Sequence, residues 1–168
     1  MARYDDEVFA GANPNSLHTL GRLAAQALEG ARRNVASSLG RRVRPSEVAF
    51  TGGGSEANFI ALIGMAEGAR DRDRTKTRVL VSAIEHDSVL DNLSELKRRG
   101  FSVDTIVPEA DGAVSVSSLE EALADGGVAL VSIMLANNET GALQPVSELT
   151  RIAHRHGALF HADAIQGY

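Results

Sequence analysis

Four groups of polar residues in this 168-residue sequence directly follow short apolar segments. These groups contain Ser55, His86, Asn138 and Asp163, and each preceding segment has the composition of a strand. In an open, mostly parallel sheet, ligands bind just beyond the carboxyl ends of the strands. We therefore expect the four groups to meet in one site, and their coincidence is a stronger signal than any one group alone.

The first group is a glycine-rich turn, Gly52-Gly53-Gly54-Ser55. Glycines let the backbone approach a ligand closely, the start of the following helix attracts anions, and Ser55 adds a hydroxyl donor. The spacing is not that of a dinucleotide fingerprint, because Ala57 occupies the last glycine position, and no Gly-Lys-Ser/Thr of a P-loop follows. Phosphate binding and an ordinary turn with Ser55 as the N-cap both fit this pattern.

The next two groups contain an imidazole and side-chain amides. His86 could stack on an aromatic ligand or move a proton, although an isolated histidine is often a surface or core residue. The segment 137–141 is rich in asparagine and ends in glycine, which is typical of an ordinary turn. It nevertheless follows an apolar segment directly, and its position at the end of a buried strand favours a role in a site.

Asp163 has three possible roles. With His161 it could form a pair of metal ligands, it could cap a following helix, or it could be the counter-ion of a protonated ring nitrogen. A carboxylate in the last role keeps a pyridinium charged and makes the ring an electron sink. Together with a phosphate cradle, a ring-facing histidine and an amide, that role describes pyridoxal phosphate.

The hydrophobic pattern alternates between helix-like and strand-like segments. It predicts helices at 16–39, 55–68, 87–99, 116–124 and 146–156, and strands at 48–51, 78–82, 103–107, 128–134 and 158–162. Gly40 is expected to end the first helix, and Ser117 or Ser118 to lie near the cap of the fourth. This alternation predicts an α/β fold with a mostly parallel sheet flanked by helices. We expect an N-terminal segment at 1–15 and one domain at 16–168, with no linker dividing it.

Composition excludes several classes of protein. Hydrophobic residues make up 43% and charged residues 23%, as in globular proteins. The sequence has no cysteine, so it cannot form disulfides, zinc–thiolate or iron–sulfur sites, or use a thiol nucleophile. A net charge of −5 disfavours general nucleic-acid binding. No apolar run reaches the roughly 18–20 residues of a membrane span, and the start lacks the features of a signal peptide. We expect a cytoplasmic location.

Five blocks of residues resemble those of cysteine desulfurases, which belong to the class V aminotransferase family. They follow the family order and cover nearly the whole chain. The blocks are Asn13-Pro14 with Ser16, His18 and Gly21; 50–58; 85–86 with 88–90; 136–141 with 144–146; and 161–164 with Gln166. The resemblance implies part of the large domain of a fold-type I transferase that depends on pyridoxal 5'-phosphate.

The resemblance also implies six cofactor-binding residues: Gly54, Ser55, His86, Asn138, Asp163 and Gln166. The first two would bind the phosphate, while His86 would stack on the pyridine ring and take part in proton transfer as a catalytic residue. Asn138 would lie near the ring hydroxyl and the substrate carboxylate. Asp163 would pair with the ring nitrogen, and Gln166 would reach the phenolic oxygen. No metal ligand is implied.

The reaction implied by the resemblance takes sulfur from L-cysteine, leaves L-alanine and transfers the sulfur to an acceptor protein. It serves iron–sulfur cluster assembly or tRNA thiolation, and the family enzymes are homodimers. The family's cofactor-attaching lysine, sulfur-accepting cysteine and carboxylate-binding arginine would all lie beyond Tyr168. Lys76 and Lys97, the only lysines here, do not match that lysine. We therefore expect an N-terminal part of the enzyme that is inactive alone.

Three other functions are considered. The first is a selenocysteine lyase or another class V enzyme with the same cofactor. The second is a non-catalytic dimerisation or binding module, which an exposed apolar patch would favour. The third is a metal site formed by His154, His156 and His161. This third function is disfavoured, because the first two histidines lie two residues apart on a predicted helix and point in different directions.

Overall fold

The computed structural model describes residues 7–167. The chain folds as two compact units, Met1–Phe50 and Thr51–Tyr168. None of the helices formed by residues 7–167 has the length and apolar character needed to cross a bilayer. The predicted segment 1–15 lies partly outside the described residues, and the proposed division at residue 16 stays a prediction.

The first unit contains one long helix, α1 (Thr19–Leu39), and a 3-10 turn at Pro45–Glu47. Helix α1 begins later than the predicted residue 16 because His18 caps it: the His18 Nδ1 atom accepts the Gly21 N–H at 3.1 Å. Gly21 is required by a close backbone approach, since a Cβ atom there would lie 2.2 Å from the carbonyl oxygen of Ser16. Gly40 ends the helix, as predicted.

The second unit contains the sheet and its helices. Its elements in chain order are α2 (Gly54–Arg72), β1 (Arg78–Ser82), α3 (Asp87–Leu90), α4 (Leu93–Arg98), β2 (Ser102–Ile106), α5 (Val116–Leu123), β3 (Val128–Ser132), α6 (Val146–Arg155) and β4 (Leu159–His161). The strand order is β2-β1-β3-β4, and every pair is parallel. The predicted α/β fold with a parallel, helix-flanked sheet is confirmed.

Helices cover both faces of this sheet. Because neighbouring residues of a strand point to opposite faces, successive residues of β1 contact different sets of helices. In β1, Val79 and Val81 pack with residues of α2, α3 and α4, such as Leu62. Leu80 packs on the other face with residues of α5 and α6, such as Leu149. All five residues of β3 are buried, as expected for a central strand of a parallel sheet. The buried centre of the unit therefore lies at β1 and β3.

Two element predictions are wrong in detail. Residues 48–51 form no strand, and no strand among residues 7–167 pairs with them; Phe50 is half-exposed there. The predicted helix 87–99 is broken between α3 and α4. There the Asn92 side chain donates to the Ser88 carbonyl at 2.7 Å, while its backbone N–H turns to the Val89 carbonyl.

The starts and ends of two further helices can also be compared with the predictions. The cap of α5 is Ser115, whose hydroxyl accepts the Ser118 N–H at 3.2 Å, so Ser117 and Ser118 lie near the cap, as predicted, in the first turn of the helix. Helix α2 continues to Arg72, four residues beyond the predicted end, and the predicted charged connection is correspondingly shorter.

Leu130→Ala tests the central position of β3. Leu130 has no exposed surface, so we expect a loss of about 2–5 kcal/mol in the free energy of unfolding, because the deleted atoms leave a cavity. Urea unfolding followed by circular dichroism measures this loss. The control is Leu143→Ala at a residue that is 71% exposed, which should change stability by about 0.5 kcal/mol at most. Equal effects of the two substitutions would contradict the assigned core.

Candidate active site

A cavity of about 240 Å³ lies at the carboxyl end of the sheet in the second unit. Nine residues line it: Gly54, Ser55, His86, Ser88, Met134, Asn138, Asp163, Ile165 and Gln166. All six residues predicted to bind the cofactor are among them. The structure thus brings the sequence-predicted groups together, while their individual roles stay predictions.

The glycine-rich turn places the start of α2 at the wall of this cavity. Gly53 occupies the N-cap position with extended backbone, and no side chain caps the helix. Ser55 is therefore the second residue of the helix and not its cap, so the alternative role considered for it is wrong. A Cβ atom at Gly54 would lie 3.3 Å from Ile165 Cδ1. The absence of a side chain at residue 54 keeps this wall open beside the unpaired N–H groups of the helix.

Asp163 follows β4 and accepts three hydrogen bonds. Its Oδ1 atom accepts the Ile165 N–H at 3.0 Å, its Oδ2 atom accepts the Asn58 amide at 2.8 Å, and its backbone carbonyl accepts the Leu135 N–H at 2.8 Å. Through the bond from Ile165 the side chain closes a turn, and among the described residues no helix follows it. The carboxylate has a fixed position on the cavity wall.

His161 does not join Asp163 as a metal ligand in the described part of the chain. Its Nδ1 atom lies 2.9 Å from the Ser132 hydroxyl on the neighbouring strand. Within residues 7–167, no three His, Cys, Asp or Glu side chains are placed to hold a metal ion. Burial lowers the pKa of His161, and the negative charge of Asp163 opposes this only in part. The neutral imidazole is therefore the favoured form.

A chain of hydrogen bonds connects Asp163 with His86. The Asn58 amide, on α2, donates to Asp163 Oδ2 at 2.8 Å and to Ser88 Oγ at 2.9 Å. Ser88 Oγ in turn lies 2.9 Å from His86 Nδ1, which also accepts the Ser88 backbone N–H at 3.1 Å. Since His86 Nδ1 is an acceptor, the hydrogen of the neutral ring lies on Nε2. One amide thus orients both the carboxylate and the imidazole.

Asn138 reaches the cavity because its neighbour Asn137 anchors the loop. Asn137 is buried, donates to the Ile84 carbonyl at 2.9 Å and accepts the Thr140 N–H at 2.8 Å. Asn138 then lines both the main cavity and an adjacent one of about 290 Å³. Gln166 lies on the main cavity wall, three residues beyond Asp163.

Asn58, Ser88 and Glu85 were not among the predicted site residues. Their positions lay within the motif blocks, but their partners are distant in sequence: Asn58 and Asp163 are 105 residues apart. The available signal was the polarity of Asn58, which lies among apolar residues on the helix after the glycine turn. A buried polar side chain requires a partner, but the sequence alone shows neither that Asn58 is buried nor which residue is its partner.

Comparison with known proteins places this geometry in a family. The model for aminotransferase class-V matches residues 4–168. The IscS-like cysteine desulfurase of Mycobacterium tuberculosis is 42% identical over 156 residues, which are 92% of this chain and 39% of that protein. A cysteine desulfurase of Cereibacter sphaeroides is 43% identical over 155 residues, covering 92% and 38%.

Solved structures show the same fold. The structure described as SspA in complex with cysteine matches with a TM-score of 0.85 and 34% identity, covering 98% of this chain and 46% of that one. This chain thus spans about two fifths of the length of the first two relatives. The family match extends over nearly all of the sequence, so the chain belongs to the class V aminotransferase family and resembles its cysteine desulfurases.

Proposed function

We propose that this chain supplies the phosphate-, ring- and nitrogen-binding groups of a pyridoxal-phosphate site in a cysteine desulfurase. The observation that carries the proposal is the single cavity lined by all six predicted residues. The fit to the cofactor is chemical: the open start of α2 and the Ser55 hydroxyl suit a phosphate. The Asp163 carboxylate, fixed by two donors, suits a ring nitrogen that carries a proton.

Each side chain has a separate task in this proposal. The bound cofactor supplies an electron sink for the amino-acid substrate. Asp163 holds the proton on the ring nitrogen, and Asn58 fixes the direction of that carboxylate. His86 stacks on the ring, and its Nε2–H is the group available for proton transfer, because donors occupy Nδ1. Asn138 and Gln166 orient the polar substituents of the ring and the substrate.

The substrate and reaction are proposed for the whole enzyme. We infer that it takes sulfur from L-cysteine and releases L-alanine. The names of the relatives favour cysteine over selenocysteine as the substrate. A homodimer, a sulfur-acceptor protein, a role in iron–sulfur cluster assembly and a cytoplasmic location belong to the same proposal. All four are supported by the family resemblance.

Ser55→Ala tests the phosphate site. Without the hydroxyl donor we expect the Kd for pyridoxal phosphate to rise about 10- to 100-fold, the loss of one hydrogen bond to a charged group. Absorbance titration of the purified chain measures this. The matched control is Ser147→Ala, since Ser147 is likewise the second residue of a helix in the same unit and is exposed. Equal Kd values for the wild-type chain and Ser55→Ala would contradict the phosphate role.

Asp163→Asn tests the ring-nitrogen site. The amide retains the shape of the side chain but loses its charge, so we expect the bound cofactor's ring nitrogen to lose its proton at neutral pH and the Kd to rise about tenfold. Nitrogen-15 NMR of labelled cofactor reports the protonation. Asp111→Asn is the matched control, because Asp111 closes the same kind of turn by accepting the Ala113 N–H. A ring nitrogen that remains protonated in Asp163→Asn would refute this pairing.

The 168-residue polypeptide should bind the cofactor without a covalent bond. Lys76 donates to the His156 carbonyl at 3.3 Å, Lys97 lies on α4, and neither lines the cavity. We therefore expect borohydride treatment at equimolar cofactor to leave the protein mass unchanged under denaturing conditions. A stoichiometric adduct on Lys76 or Lys97 that disappears in Ser55→Ala would overturn this expectation.

A further inference from the structure

Glu85 joins the ends of two strands through hydrogen bonds from Ser82 and Met134. It lies three residues after β1 but turns back toward the sheet, where its Oε1 atom accepts the Ser82 hydroxyl, at the last residue of β1. The same Oε1 atom accepts the Met134 N–H at 2.7 Å, just beyond β3. Glu85 is only 6% exposed. One oxygen therefore serves as the common acceptor for the carboxyl ends of β1 and β3.

The second oxygen of Glu85 has a different environment. Its Oε2 atom is buried and has no hydrogen-bond partner among residues 7–167. A buried carboxylate with one bare oxygen is costly, because both oxygens share its negative charge. A neutral carboxylic acid costs less to bury here than a carboxylate, because it carries no charge; Oε1 is then the carbonyl that accepts two hydrogen bonds, and Oε2 carries the hydrogen.

The charges around Glu85 favour the same form. None of the ion pairs in the described part of the chain includes Glu85. The charge of Asp163, two residues beyond β4, acts on Glu85, and the adjacent cavity that Glu85 lines is also lined by His86, Asp87 and Glu139. Burial raises the pKa of Glu85, the hydrogen bonds from Ser82 and Met134 oppose the rise, and the charge of Asp163 adds to it.

We propose that Glu85 is a positioning residue whose carboxyl group stays protonated at pH values where exposed glutamates have ionised, ties β1 to β3 through Oε1, and in that range adds no second carboxylate charge beside Asp163. The functional part of this inference rests on the proposed cofactor site, because a second charge there would change the proton affinity of the ring nitrogen. The protonation of Glu85 itself can be tested without any cofactor.

Carbon-13 NMR of the full chain with labelled glutamate tests the protonation directly. The resonance of the Glu85 carboxyl carbon is assigned by its loss in Glu85→Gln. We expect it to keep the position of a protonated acid at pH values where exposed glutamates, with pKa values near about 4.3, have ionised. Titration of Glu85 together with the exposed glutamates would overturn the proposal, whatever the chain's affinity for pyridoxal phosphate.

Unfolding as a function of pH gives a second test. Because the pKa of Glu85 is raised in the folded state, its neutral form contributes full stability below the pKa of the unfolded chain, and this stability is lost as pH rises toward the folded pKa. Glu85→Gln cannot ionise. We therefore expect the unfolding equilibrium constant of the wild-type chain to rise relative to that of Glu85→Gln, by up to about tenfold per pH unit in this range.

Hydrogen exchange separates the positioning role from simple burial. In Glu85→Gln the amide oxygen can still accept the Met134 N–H, so protection of that N–H should be kept, whereas Glu85→Ala should lose it about tenfold or more. The matched control is Glu148→Gln, which removes an exposed carboxyl in the same unit. In the unfolding test, a ratio of the unfolding equilibrium constants of wild-type and Glu85→Gln that does not change with pH would contradict the proposal. In the exchange test, equal protection of the Met134 N–H in all variants would contradict it.

Discussion

The two hydrogens of the buried Asn58 amide connect the groups on which the cavity depends. One is donated to Asp163 beyond β4, and the other to Ser88 at the start of α3. Asn58 itself lies on α2, whose first residues form the proposed phosphate site. A single side chain therefore sets the relative positions of the helix start, the carboxylate and, through Ser88, the imidazole of His86. The low polarity around Asn58 makes any unpaired group costly, so the arrangement is rigid.

The parallel sheet brings these groups together from distant parts of the chain. Parallel pairing in the register Val81–Ser132 and Ser132–His161 ends the three strands at the same edge. The residues that continue from each strand then meet without long loops, as expected for binding sites in open α/β sheets. Burial of β3 on both faces fixes this edge, because a shift of one residue would exchange the side chains that are closely packed on the two faces of the sheet.

The fold class and the members of the candidate site could be predicted from local signals. Apolar segments gave strands β1 to β4 within two residues of their observed ends, and the polar groups after them marked the cavity. Residues 48–51 look equally strand-like, but a strand also needs a partner, and pairing is not encoded within the segment. The break at Asn92 depends on a side chain competing with the backbone. Asn58 and Glu85 could not be assigned because burial and distant partners determine their roles.

The buried polar ends of the strands explain how a charged site can lie against an apolar sheet. Ser82 and Ser132, both fully buried, each contact an ionisable side chain: the first donates to Glu85 and the second lies beside His161. Burial shifts the pKa of each of these two side chains toward its neutral form. Burying a neutral acid or imidazole beside such a hydroxyl costs much less free energy than burying the charged form of the same side chain. The sheet can therefore support the Asp163 carboxylate at its edge, because Glu85 and His161, the two groups on which its charge acts, are both shifted toward their uncharged forms.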